Sequence, residues 1–460
     1  MNAHQSIRPF LEWLDRTGDL LRVPDTVDPF HEVSACLSLA DRGPALLFEA
    51  VAGSPLRIAG NLLAGRERIA AALGIAPAEI SERILRSIRE PIWPVSATHR
   101  AVQAVVERDA PLAALPVPTF FEREERPYIT AGVILARDPE TGRGNASFAR
   151  VGLLDGRTAL VGIAPNHHLA LFARRAAARG RPLDIAVVLG AHPAIQLAAC
   201  LYLGVGDDEL ECAGSLLGAP VELIDALTVD LRVPAGAEIV LEGRIDANVS
   251  VPEGFISEYH GMYENYGPGV FATFSAMTRR EDAILQVIEP GYHREHIYLG
   301  ALPIAAGLLH GIAKVVPNVR DVAVTEAGAG RTDVVVQLDA PRPGQARRAI
   351  HAAFAAVSLV KRVTVVDVDI DPWDPVMVDW ARMNRMKLER DLMLFPHSGT
   401  DRSEPMEEGG LVTKAGLDAT AKPSDRAEGI ERALPPAAAL ASARERLRAC
   451  MPRVPAWLSA

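Results

Sequence analysis

The stretch Ser147-Phe148-Ala149-Arg150-Val151-Gly152-Leu153-Leu154-Asp155-Gly156-Arg157-Thr158-Ala159-Leu160-Val161-Gly162-Ile163 reads as two strands and a turn. Apolar runs at 147–154 and 157–163 flank Asp155-Gly156. An Asp-Gly pair in that setting signals a hairpin with a type I′ turn, which needs positive φ at both central residues. The texture spreads outward from there. Short apolar runs recur at 185–189, 220–229, 238–245, 270–277 and 283–288, with one helix at 168–179 stopped by Gly180. Many short strands with few helices predict a barrel or sandwich at the centre of the chain.

The flanks differ. On the N-terminal side, Ser6 can cap a helix carrying Ile7, Phe10, Leu11 and Leu14, ended by Gly18. Strands are expected at 20–23 and 45–48, and helices at 66–73 and 78–89. Prolines 91, 94, 111, 116 and 118 then break the pattern near residue 100. After residue 300 the elements alternate. A helix at 304–315, strands at 322–325 and 334–338, a helix at 345–356, a strand at 362–368 and a helix entered through Asp374-Pro375 predict an α/β domain. The tail from 424 is rich in Pro and Ala, with one helical stretch at 438–448.

A net charge of −10 argues against a nucleic-acid surface. Cys36, Cys200, Cys212 and Cys450 are scattered, so neither a disulfide framework nor a thiolate zinc site is expected. The apolar run 303–316 is too short to span a bilayer and is interrupted by His310 and Lys314. A soluble, cytoplasmic protein is expected.

Four groups of residues could carry chemistry. Pro252-Glu253-Gly254-Phe255-Ile256-Ser257-Glu258-Tyr259-His260-Gly261 places two carboxylates among glycines, which suits a loop near a ligand as well as a solvated acidic turn. Asn145 and Arg150 lie five apart, on opposite faces of any straight strand, so a shared site needs a bend. Asn166-His167-His168 opens a helix, and Glu209 and Glu211 precede Ala213-Gly214. Asn145, His168 and one Glu offer the O, N and O donors that suit Mn²⁺ or Mg²⁺. Two acids and an arginine can transfer a proton and hold a substrate carboxylate. Gly328-Ala329-Gly330-Arg331 lacks the third glycine of a dinucleotide fingerprint, and neither HExxH nor GxSxG occurs.

Taken together, these blocks resemble the UbiD-like family of prenylated-FMN-dependent (de)carboxylases. The likeness runs to about residue 423 through Asn145-x4-Arg150, Pro165-Asn166-His167-His168, 187–193, Glu209-x3-Ala213-Gly214, 233–243, Pro252-Glu253-Gly254-x3-Glu258, Glu295-His296-x-Tyr298-Leu299-Gly300 and 416–420. The resemblance implies an α+β, α/β multidomain fold. An N-terminal α/β region (1–105) would precede a central split β-barrel of flavin-reductase type that binds the cofactor (106–300), and a C-terminal α/β oligomerisation domain with its tail (301–460) would follow. It implies Arg150, Glu253 and Glu258 as the catalytic set, with Glu258 as proton donor. Asn145, His168 and Glu209 would hold Mn²⁺ (or Mg²⁺) at the cofactor phosphate, accompanied by K⁺, with Ser147 and Arg150 also at the cofactor. It implies a small carboxylic acid as substrate, prenylated FMN supplied by a flavin prenyltransferase, and a homodimer or homohexamer. An FMN oxidoreductase and a non-catalytic carboxylase subunit are the competing readings. Phe255-Ile256-Ser257 and Ala149 depart from the family pattern, so the pocket walls differ from those of other members.

Overall fold

The computed structural model of the chain describes residues 5–422 and 433–450. Helix α1 (Arg8–Thr17) buries Phe10, Leu11 and Leu14 and closes at Gly18, whose φ of 72° is left-handed. Ile7 rather than Ser6 takes its N-cap position, although Ser6 Oγ still accepts from Arg8 N at 3.3 Å. There follow β1 (Leu20–Val27), α2 (Glu32–Leu39), β2 (Ala45–Val51), β3 (Arg57–Gly60), α3 (Arg66–Leu73) and α4 (Ile80–Arg89).

The centre of the chain comprises β4 (Val95–Ser96), β5 (Val105–Glu107), β6 (Tyr128–Ile129), β7 (Val133–Arg137), β8 (Gly144–Phe148), β9 (Arg150–Leu153), β10 (Thr158–Gly162), α5 (His168–Ala178), β11 (Leu183–Leu189), α6 (Pro193–Ala198), α7 (Glu209–Leu217), β12 (Glu222–Asp225), β13 (Arg232–Pro234), β14 (Ile239–Pro252), β15 (Ile256–Ser257), β16 (Tyr263–Glu264), β17 (Pro268–Arg279) and β18 (Ile284–Gln286). Its main sheet runs β6-β9-β10-β17-β14-β11-β7-β8, with β5 added to β17. Only Ala149 separates β8 from β9, yet six strand spacings lie between them in that order. A flat sheet would hold them roughly 30 Å apart, whereas one linking residue spans roughly 7 Å. The sheet therefore curls until its ends approach, which is the split barrel. The break at Ala149 is the kind of bend that a site shared by Asn145 and Arg150 would need.

The β9–β10 hairpin forms with Arg150 opposite Gly162 and Leu153 opposite Ala159. Its turn differs from expectation, because neither Asp155 nor Gly156 has positive φ. The Asp155 carboxylate instead accepts from the backbone N–H groups of Arg157 and Thr158, both at 2.7 Å, so a side chain closes a wider loop. Two strands expected in the barrel lie elsewhere. β18 pairs in parallel with β3 and completes the N-terminal sheet β1-β2-β3-β18. β12 is shorter than its apolar run and joins β13 and β4 in a small separate sheet. Apolar alternation marks a strand but does not choose its partner.

Helix α8 (Arg294–Ala313) starts well before the expected 304. Over its 20 residues it is long and apolar enough to cross a membrane by length and composition, unlike the shorter run read from sequence, but most of it is buried in the protein. Leu299, Leu302 and Ala306 join the central core, while Ile304, Leu308 and Ile312 join the C-terminal one. Beyond it come β19 (Val319–Val324), β20 (Asp333–Leu338), α9 (Gln345–Ala356), β21 (Arg362–Asp367), α10 (Pro375–Arg385), α11 (Leu388–Asp391), β22 (Leu392–Gly399) and β23 (Leu411–Asp418). Their sheet order is β19-β20-β21-β23-β22. On β20, Val334, Val336 and Leu338 face one apolar layer and Val335 the other, as a period of two requires. In the tail, α12 (Ala437–Ala449) buries no residue, and residues 423–432 and 451–460 lie outside those described.

Glu295, in the first turn of α8, is fully buried and accepts from Leu62 N and Leu63 N at 3.0 Å each. Burial pushes its pKa from 4.5 up to about 7. The folded chain then binds more protons than the unfolded one between those values. The resulting stabilisation is full below pH 4.5 and is lost as pH rises through 7, about 3 kcal/mol at most. Glu295→Gln keeps both acceptor bonds without that loss. The melting temperature of the variant relative to wild type should rise between pH 5 and pH 8.5; a constant difference would contradict the assignment.

Candidate active site

Arg150 opens β9, and Glu253 follows the last residue of β14. The two meet side on, Nε to Oε1 at 3.1 Å and Nη2 to Oε2 at 3.2 Å. Glu253 is almost wholly buried, while Arg150 keeps 29% of its side chain open. The backbone of Glu253 is fixed from below, its carbonyl accepting from Arg126 Nη1 at 2.7 Å and from Tyr128 Oη at 3.1 Å. Gly254 then turns the chain at φ 83°, a conformation that favours glycine.

Gly162, opposite Arg150 on β10, leaves the space in which this pair lies. A Cβ there would stand 2.5 Å from Glu253 Oε1 and 2.9 Å from Arg150 Nη2. Gly162→Ala should cut kcat/KM about 10²-fold by displacing the pair, with little change in far-UV circular dichroism. Unchanged kinetics would show that the pair does not need its present position.

Glu258 follows β15 in a turn closed by Gly261 N on the Glu258 carbonyl at 2.8 Å. It is half-buried, and its Oε1 accepts from Tyr259 N at 2.8 Å. The Tyr266 phenol stands beside it, and burial first, then the Glu258 charge, raises its pKa. Arg150 also feels the charge of Glu258, after the effects of burial and of Glu253. Arginine 150 and the two acids are thus gathered in one place. The residues between the acids are pinned as well, with Arg123 stacked 3.7 Å over the Phe255 ring. Tyr259 Oη donates to Ser403 O at 3.0 Å, and Arg402 lies 4.4 Å over Tyr266, so the β22–β23 connection covers this loop.

Glu124 is an acid that the sequence did not single out. Its carboxylate accepts from Phe120 N and Phe121 N, and burial lifts it to about 7 against the pull of those bonds and of Arg150. Tyr128, Gly162 and Tyr266 were missed for the same reason: single residues on strands and turns carry no spacing signal.

Of the expected metal ligands, Asn145 and Glu209 meet. Glu209 begins α7, with Asp208 as N-cap, rather than lying in a turn. Its Oε2 accepts from Asn145 Nδ2 at 3.1 Å and from Ala146 N at 2.8 Å, and burial raises its pKa to about 7. Asn145 Oδ1 and Ser147 Oγ are buried without a hydrogen-bond partner. His168 is the first residue of α5, half-buried, its ring 6.4 Å from that of Phe172. It makes no hydrogen bond to Asn145 or Glu209, and no trio of His, Cys, Asp or Glu side chains is grouped for a metal among the described residues. Two buried oxygen acceptors without donors, next to a carboxylate, are the donor set a hard divalent cation takes, so these residues fit one.

Comparison with known proteins agrees with the fold. Three successive segments match the N-terminal domain (11–88), the Rift-related domain (94–293) and the C-terminal domain (297–419) of the 3-octaprenyl-4-hydroxybenzoate carboxy-lyase family, UbiD. The anhydromevalonate phosphate decarboxylase of Methanothermobacter thermautotrophicus is 33% identical over 422 residues, covering 91% of this chain and 98% of that one. The UbiD-class enzyme HmfF from Pelotomaculum thermopropionicum, solved with FMN, matches with a TM-score of 0.90 and 36% identity over 94% of this chain and 97% of its own. An evolved dimeric form of HmfF, solved with prFMN, matches with a TM-score of 0.87 and 35% identity over 95% and 98%. The 3,4-dihydroxybenzoic acid decarboxylase AroY of Klebsiella pneumoniae has a TM-score of 0.87 at 26% identity over 94% and 97%. With all three domains matched in order and whole-length relatives above 30% identity, the chain belongs to the UbiD family of carboxy-lyases.

Proposed function

We propose that the protein decarboxylates an aromatic, heteroaromatic or α,β-unsaturated carboxylic acid without net oxidation, using prenylated FMN, in a reaction that can run in either direction. The reading rests on one arrangement, the side-on Arg150–Glu253 pair beside a loop that presents Glu258. Relatives named for anhydromevalonate phosphate and for 3,4-dihydroxybenzoic acid support the substrate range.

Prenylated FMN, when bound, supplies the electron sink that loss of CO₂ from an sp² carbon requires. Glu253 fixes the plane of the Arg150 guanidinium, and the solvent-facing part of Arg150 receives the substrate carboxylate. Each turnover releases CO₂ and consumes one proton, which Glu258 delivers to the carbon that bore the carboxylate. Glu258 then regains a proton from water, which its half-buried position allows. Asn145, Glu209 and His168 would hold Mn²⁺ (or Mg²⁺), with K⁺ nearby and Ser147 on the cofactor. Held there, the metal would supply positive charge to offset the cofactor phosphate. We place the protein in the cytoplasm beside the flavin prenyltransferase that supplies its cofactor. It would assemble as a homodimer or homohexamer through the C-terminal sheet edge, where Leu392 and Leu394 of β22 are exposed.

The experiment is co-expression with a flavin prenyltransferase under Mn²⁺, followed by cofactor mass and CO₂ release over a panel of aromatic and unsaturated acids. Prenylated flavin with turnover of at least one acid is expected. Unmodified FMN with NAD(P)H oxidation would overturn the reading in favour of an oxidoreductase, and the absence of any flavin in favour of a non-catalytic subunit.

A further inference from the structure

Glu258 directly follows β15, and β15 pairs with β16 alone, through Ile256 opposite Glu264 and Ser257 opposite Tyr263. A two-stranded hairpin of this size is marginal in water unless something packs on it. One support is apolar: Ile256 joins Tyr128 and Leu160 in a small buried cluster. The other is Arg123. Its guanidinium lies 3.7 Å over the Phe255 ring and 5.1 Å over the Tyr263 ring, and its backbone N–H donates to Tyr263 Oη at 3.3 Å. The two rings meet edge to face with centroids 6.5 Å apart. Arg123 therefore grips both the residue that enters β15 and the residue opposite Ser257. Three positions on, Arg126 Nη1 holds the backbone at the other acid, donating to Pro252 O at 3.1 Å and to Glu253 O at 2.7 Å. Between these two grips the loop runs close to the same segment, where a Cβ on Gly254 would stand 2.9 Å from the Glu125 carboxyl carbon.

We propose that Arg123 is a positioning residue for the proton donor: it locks the β15–β16 hairpin through Phe255 and Tyr263, and so sets where Glu258 stands relative to Arg150 and Glu253. This rests on the decarboxylase reading and deepens it. A guanidinium is drawn flat onto aromatic faces by their quadrupoles, and here one cation serves two rings. Glu125 pairs with Arg126 at 3.2 Å rather than with Arg123. Phe255 belongs to the stretch in which this chain departs from the family pattern, and the departure supplies the ring that Arg123 covers. Proton transfer to carbon tolerates little misplacement of the acid. The Arg150–Glu253 pair is held separately, by Arg126 and Tyr128 at the Glu253 carbonyl, so loosening the hairpin moves Glu258 without disturbing the anchor for the substrate carboxylate.

The test joins amide hydrogen exchange, read by mass spectrometry on the full-length protein, to the kinetics of the prenylated-flavin enzyme. Arg123→Gln should speed exchange in the peptide spanning 255–264 and nowhere else, with flavin content unchanged. Its kcat for CO₂ release should fall about 10-fold while KM stays at the wild-type value. Arg123→Lys, which keeps a cation over the rings, should retain most of kcat. Phe255→Leu should reproduce the loss, and the double variant should lose no more than Arg123→Gln alone, because the two act through one contact. Wild-type exchange at 255–264 in Arg123→Gln would overturn the proposal. So would faster exchange there with kcat unchanged, a loss that falls on KM, or a double variant whose loss is the product of the two single losses. Faster exchange in Arg123→Gln together with no CO₂ release by the wild-type enzyme from any acid would leave the Arg123 lock on the hairpin standing and sink the decarboxylase reading.

Discussion

Glu258→Gln should lower CO₂ release by about 10²–10⁴-fold, the usual worth of a positioned acid, while flavin and metal content stay at wild-type levels. The amide keeps the Oε1 acceptor that Tyr259 N uses at 2.8 Å, so the turn should hold its shape. It keeps the neighbouring Tyr266 and leaves the Arg150–Glu253 pair untouched. What it cannot do is give a proton to carbon. Substrate affinity should change little, so the loss should appear in kcat rather than KM. Single-turnover release of CO₂ separates the steps: if only protonation is blocked, bond cleavage can proceed once and then stall. Wild-type steady-state turnover by this variant would remove Glu258 from the mechanism.

Arg150→Met should have two separable effects. It leaves the Glu253 carboxylate, 3% exposed, without its cation. Removing one partner of such a pair destabilises the fold by about 3 kcal/mol, the lower end of the usual range because Arg150 is itself partly open. Activity should fall below detection, since in the proposed mechanism the substrate carboxylate loses its anchor. Adding Glu253→Gln should restore much of the stability, because a neutral amide no longer needs the cation, but none of the activity. Urea midpoints of the single and double variants measure the first effect, and CO₂ release the second. A double variant no more stable than Arg150→Met would show that the pair does not hold the loop.

Much of the architecture could be read from sequence because local signals sufficed. The Asp155-Gly156 hairpin, the helices stopped by Gly18, Gly74 and Gly180, and the alternating C-terminal region rest on turn chemistry and period. What local signals could not supply was pairing. β18 reads as a barrel strand but pairs with β3, more than 200 residues earlier. The β22–β23 hairpin was not expected because Pro396 and the polar 400–410 connection break its apolar pattern. The site divides in the same way. Residue chemistry proposed that two acids and an arginine could cooperate, but the side-on contact between Arg150 and Glu253, 103 positions apart, came into view only through family likeness and then geometry. The Gly328-Ala329-Gly330-Arg331 segment lacks a dinucleotide pattern. Its arginine fills the space beside Gly300, and no local signal joins the two positions.

In the proposed mechanism Glu258 moves a proton to and from the substrate carbon. Exchange in D₂O reads this step without CO₂ release. The prenylated-flavin enzyme is incubated with the decarboxylated product of its best acid, and deuterium at the carbon that bore the carboxylate is followed by NMR. Exchange at that carbon alone is expected in wild type, with none above background in Glu258→Gln. Exchange at the wild-type rate in Glu258→Gln, or none in wild type that is turning over the acid, would contradict the account.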